Sequence, residues 1–92
     1  MKKVLSLLLF LLFVLTRLSA QETKIKVACI GNSITFGAGI KDRANHSYPS
    51  ILGRMLGKDY EVQNFGVSAR TLLNKGDHPY MKEVQFQDAL NY

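Results

Sequence analysis

Two short segments rich in β-branched and apolar residues, each stopped by a glycine-containing turn, stand too far apart for a hairpin. That spacing constrains the fold more than any other feature of the chain. Lys24 to Ile30 reads KIKVACI and stops at Gly31-Asn32, so a strand followed by a turn is predicted there. Its apolar stretch from Val27 to Ile30 is what a strand covered on both faces of a parallel sheet carries. Tyr60-Glu61-Val62-Gln63 alternates apolar and polar residues and breaks at Asn64-Phe65-Gly66, which predicts a second strand. The 29 residues from Gly31 to Asp59 exceed the roughly twelve that a crossover between parallel strands needs. A helix should fill part of them. Ser47 can cap it, Pro49 suits its first turn, and Tyr48, Ile51, Leu52, Met55 and Leu56 fall on one face. Gly57 then supplies a left-handed stop. Gly53 inside this helix costs about 1 kcal/mol relative to alanine, so close packing against the sheet is its expected reason. The unit is βαβ, and right-handed by the general rule for such units.

A polar loop from Val67 to Pro79 follows, and then a helix is predicted over Glu83 to Asn91, with Val84, Phe86, Ala89 and Leu90 apolar. Hydrophobic residues make up 47% of the chain, which argues against disorder. A parallel pair of strands expects cover on both faces and further neighbours. A chain of this size also buries only about 60% of its unfolded surface. Residues 21–92 are therefore expected to be the front part of a larger, incomplete α/β domain. Disulfides cannot compensate within the chain, because Cys29 is the sole cysteine; in an apolar strand it should be an inert buried thiol. No Cys/His cluster has zinc spacing, and there is no internal repeat.

Residues 1–20 read as a secretory signal peptide: a charged start at Lys2-Lys3, a 12-residue apolar run from Val4 to Leu15 broken only by Ser6, and a small residue at Ala20. Crossing a bilayer takes about 20 apolar residues, so the run is short for an anchor. Cleavage near Ala20 would export the protein, to a periplasm or beyond, with no stable membrane anchor. Gln21, not cysteine, follows, so lipidation lacks its acceptor. The leader also explains most of the net charge of +5. With Lys2, Lys3 and Arg17 removed, nine basic residues face seven acidic ones. No basic run or basic helix with interleaved aromatics remains, which argues against a nucleic-acid partner.

A crossover unit delivers the carboxyl ends of both strands to one edge of the sheet, where open α/β folds bind ligands. Ser33 emerges there from the Gly31-Asn32 turn, with the unhindered N–H of Gly66 expected across from it. A hydroxyl beside such a donor is half of an acyl-transfer site, since one attacks a carbonyl and the other receives the charge that develops on oxygen. By spacing alone Ser33 reads first as a turn residue or helix cap, because serine is common in such turns.

Ile30-Gly31-Asn32-Ser33-Ile34-Thr35 resembles the first block of the SGNH (GDSL-type) hydrolases, and Asn64-Phe65-Gly66 with the following Val67 to Thr71 resembles the second. The blocks stand in the family's order, each after a strand. The resemblance implies a flavodoxin-like parallel sheet, Ser33 as the nucleophile, and the N–H groups of Ser33 and Gly66 as oxyanion donors. It implies a small-molecule or carbohydrate ester, with O-acetylated sugars favoured, and no metal or organic cofactor. The family's remaining donor and base lie in later G-x-N-D and D-x-x-H blocks that these residues do not contain. Asn32 stands where the family usually has aspartate, keeping a turn-forming side chain without its charge.

The other candidates are weaker. Asp77 and His78 are adjacent and do not match D-x-x-H; a loop histidine before Pro79 reads as surface. Gly37-Ala38-Gly39 lacks the rest of a phosphate loop. Arg70 could meet an anionic group but reads first as a solvated arginine. Two functions remain: an exported serine esterase represented by its N-terminal part, or a catalytically inactive truncated product.

Overall fold

A computed structural model describes residues 1–19 and 23–92, the side chains of residues 16–19 excepted. Helix α1 spans Lys2–Ser19, within the segment expected to be a leader; the expected cleavage point at Ala20 and Gln21 lies outside the described residues. Among the described residues no helix is long and apolar enough to cross a membrane.

The two expected strands are present and parallel. β1 spans Ile25–Gly31 and β2 spans Tyr60–Gly66, in register from Ile25 opposite Tyr60 to Gly31 opposite Gly66. The sequence ended β2 at Asn64, but the strand runs through that break to Gly66. Asn64 and Phe65 stay extended because both are held there: the Asn64 side chain bonds to the crossover, and Phe65 is buried. The fold is thus mixed α/β with a two-stranded parallel sheet.

The crossover is three helices, not one. A single turn, α2 (Ser33–Phe36), follows β1, then comes a second turn, α3 (Arg43–His46), and then the longer α4 (Tyr48–Leu56). The two short helices escaped the sequence because one turn is too short to show periodicity. α2 ends at Gly37, whose φ of 91° closes the turn with its N–H on the Ser33 carbonyl. α4 begins and ends where predicted, with Ser47 before it and Gly57 at φ 86° after it. Ser47 does not cap through its side chain; its hydroxyl meets Ser50 Oγ at 3.2 Å instead.

The predicted apolar face of α4 is only partly the buried one. Pro49 is buried, Leu52 and Gly53 are half-buried, while Tyr48, Ile51 and Met55 are exposed, Met55 by 78%. The face turned to the sheet lies one position round from the hydrophobic maximum. Gly53 does mark a close approach, since a Cβ there would rest 3.5 Å from Val62 Cβ.

Each face of the sheet carries some cover, though less than parallel strands ordinarily have. On one, Cys29 is 7% exposed and its thiol bonds to Tyr48 of α4. On the other, Phe65 is 6% exposed and its ring meets Tyr92 edge-on at 5.4 Å. Tyr92 follows α5 (Val84–Leu90), which is preceded by a 3-10 turn at Tyr80–Lys82. Tyr80 is the most deeply buried aromatic residue, and its hydroxyl donates to the Phe65 carbonyl at 2.7 Å. The cover is incomplete along the outer edge of β1, where Ile30 remains 44% exposed, so the expected burial of the whole Val27–Ile30 run does not hold.

Candidate active site

Ser33 is the first residue of α2, at the carboxyl end of β1. Asn32 caps the turn, its Oδ1 accepting from the Ile34 N–H at 3.1 Å, the turn-forming work expected of it. The Ser33 carbonyl is occupied by the N–H groups of Gly37 and Ala38 at 2.9 and 3.0 Å. Its own N–H and its hydroxyl have no hydrogen-bond partner among the described residues. The side chain is half-buried.

What fixes this one-turn helix is a network that sequence reasoning missed. Asn64 at the end of β2 donates from Nδ2 to the Thr35 carbonyl at 2.7 Å. Thr35 Oγ1 and Tyr48 Oη share a hydrogen bond of 3.0 Å, and Tyr48 also reaches the Cys29 thiol. At the far end, Arg43 donates to the Phe36 carbonyl at 3.2 Å and lies 3.7 Å from the Phe36 ring centroid, placing a cation where helix carbonyls point outward. One turn cannot stabilise itself. Four tertiary anchors replace the missing length. An asparagine just ahead of a strand-ending glycine was the signal in the sequence.

The close fit explains both strand-terminal glycines. A Cβ on Gly31 would collide with Thr35 Oγ1 and come within 3.0 Å of Thr35 Cβ. A Cβ on Gly66 would collide with Phe36 N and come within 2.8 Å of Phe36 Cα and of the Thr35 carbonyl carbon. Gly66 is therefore glycine because the α2 backbone crosses directly over it. Its N–H is not open: it donates to Asn64 Oδ1 at 2.8 Å.

The remaining candidates are scattered. Arg70 is not solvated as expected; its Nε donates to Glu83 Oε1 at 2.6 Å in a partly buried ion pair. His46 is exposed, its Nδ1 on the Asp42 carbonyl at 3.2 Å. His78 is an exposed loop residue at φ 50°, matching its surface reading. Neither histidine bonds to Ser33. Cys29 offers no competing nucleophile, since burial pushes its thiol above the ordinary range, only partly offset by the Tyr48 hydrogen bond. Among the described residues no group of three His, Cys, Asp or Glu side chains could hold a metal.

No protein-family model and no solved structure matches the chain. Over 72 residues, 78% of this chain, it is 60% identical to a protein named acetylxylan esterase from Xylanibacter ruminicola. The match covers 15% of that relative's length.

Proposed function

We propose that these residues are the front part of an SGNH-type serine esterase that removes acetyl groups from carbohydrate esters, with residues 1–20 an export signal cleaved near Ala20 and 21–92 the start of the hydrolase domain. The observation that carries the reading is Ser33: a hydroxyl with no hydrogen-bond partner among the described residues, on a turn held at the carboxyl edge of a parallel sheet by anchors from β2 and α4. Similarity to an acetylxylan esterase supports the acyl group and the carbohydrate.

In this reading Ser33 Oγ attacks the ester carbonyl and gives its proton to a histidine base, the alcohol leaves, and water releases acetate from the acyl-serine. The Ser33 N–H is available to the oxyanion. The Gly66 N–H, the second donor that the resemblance implies, is held by Asn64 Oδ1 at 2.8 Å and would serve only by sharing that bond. His46 Nδ1 lies on the Asp42 carbonyl, the exposed His78 ring bonds to no part of Ser33, and the base is assigned to a segment outside these 92 residues. The same observation favours the second reading, an inactive truncated product, if no such segment is joined to them.

An alkyl fluorophosphonate tests the reading in the full polypeptide that carries these residues. It should phosphonylate Ser33 with loss of fluoride, detected as a mass increase on the peptide containing Ser33 and absent in Ser33→Ala. Labelling elsewhere with Ser33 unmodified would reject the assignment.

A further inference from the structure

The loop that leaves β2 beside α2 is held in a shape it would not adopt by itself. Ala69 has φ 58°, a left-handed conformation that penalises any residue with a Cβ and persists only where the surroundings impose it. Arg70 is the residue that imposes it. Its Nη1 donates to the Ser68 and Ala69 carbonyls, both at 3.2 Å, while Nε meets Glu83 Oε1 at 2.6 Å. Glu83 is itself fixed at the start of α5. The ion pair is about three-quarters buried on both sides, and a guanidinium fork is the side chain suited to binding a carboxylate and adjacent carbonyls at once. Beyond it the loop is closed by Thr71, whose N–H donates to the His78 carbonyl and whose carbonyl accepts from Tyr80 N–H at 2.8 Å.

We propose that Arg70 is a positioning residue for the Ser33 site: clamped by Glu83, it locks residues 67–70 in the shape that forms the site's edge beside Gly66. The inference rests on the esterase reading above. It also gives Arg70 a structural task, with Nε on the carboxylate and Nη1 on the two carbonyls. Loosening the clamp should therefore slow turnover without weakening binding of a neutral ester.

The test uses the full polypeptide that carries these residues, with Arg70→Met, Arg70→Lys and Glu83→Gln, read by amide hydrogen exchange and by hydrolysis of p-nitrophenyl acetate. Arg70→Met should speed exchange of residues 68–71 by at least about tenfold while β1 and β2 stay protected. It should lower kcat about tenfold or more, as small misplacements of a site do, with KM little changed. Arg70→Lys, which keeps the charge but not the fork, should lie between Arg70→Met and the parent. Unchanged exchange in the loop would overturn the clamp. Faster exchange with unchanged kcat would overturn the positioning role. If Arg70→Met does not fold, Glu83→Gln, which preserves side-chain volume, is judged by the same two outcomes. Ser33→Ala separates the two ideas: hydrolysis that survives it rejects the esterase reading, whereas Ser33-dependent hydrolysis indifferent to Arg70 rejects this inference alone.

Discussion

Asn64 donates to the Thr35 carbonyl at 2.7 Å across 29 residues of sequence, and with its other side-chain atom accepts the Gly66 N–H at 2.8 Å. One amide thus couples the turn bearing Ser33 to the end of β2. Donor and acceptor are both needed, which aspartate cannot supply. Asn64→Asp should place an oxygen against the Thr35 carbonyl while keeping the Gly66 contact, and should cost about 1–3 kcal/mol for a partly buried, unpaired group. Urea denaturation of the full polypeptide measures it; a loss below a few tenths of a kcal/mol would show that Asn64 does not anchor α2.

Gly66→Ala is expected to act on α2 and not by crowding a substrate. The added Cβ meets the Thr35–Phe36 backbone, which cannot rotate aside as a side chain would, so overpacking of about 1–3 kcal/mol is expected. Calorimetry should register the loss with no ester present. A fully stable Gly66→Ala protein would mean that α2 yields more freely than its anchors suggest.

These two positions show what the sequence could and could not disclose. The strands, their parallel pairing, the start and stop of α4 and the place of Ser33 at the carboxyl edge of the sheet follow from local patterns: β-branched runs, crossover length, Pro49 and Gly57. The reasons for Gly31 and Gly66 were not legible, because each depends on a backbone that lies close only after the crossover folds back. Arg70 and Asn64 escaped for the same reason. Their partners Glu83 and Thr35 are 13 and 29 residues away, and residue type alone assigns such polar groups to solvent. The hydrophobic face of α4 misled in the opposite direction: helical spacing found an apolar stripe including Met55, but the helix meets the sheet at Gly53, beside half-buried Leu52.

Alkaline stability should report on Tyr80. Burial raises its hydroxyl above the ordinary 10.0, so the folded state resists losing that proton while the unfolded state does not. The contribution is fully present below pH 10 and is lost as pH rises through and beyond it. Tyr92, raised by desolvation and then by Glu61, and Cys29, raised from 9.0, act in the same direction, with Cys29 entering first. Tyr80→Phe should cost about 1 kcal/mol at neutral pH through the lost bond to Phe65, and should flatten the decline above pH 10. A decline of equal steepness in the variant would exclude Tyr80 as its source.

Export should be accompanied by removal of the leader. Amino-terminal sequencing of the exported protein is expected to begin at or near Gln21, and recovery of intact Met1 from a membrane fraction would count against it.

The central claim is that Ser33 is the nucleophile and that its base lies outside these 92 residues. It is tested most directly by measuring p-nitrophenyl acetate turnover for four proteins: these residues joined to a C-terminal segment that carries G-x-N-D and D-x-x-H blocks, residues 1–92 alone, and Ser33→Ala in each. The joined protein should lose its covalent route on Ser33→Ala, retaining at most the residual acceleration of about 10³–10⁴ over water that binding and oxyanion donors supply. Residues 1–92 should show no Ser33-dependent turnover, since neither His46 nor His78 bonds to the hydroxyl. Multiple turnover that depends on Ser33 within the 92 residues would contradict the claim, as would a joined protein whose activity survives Ser33→Ala.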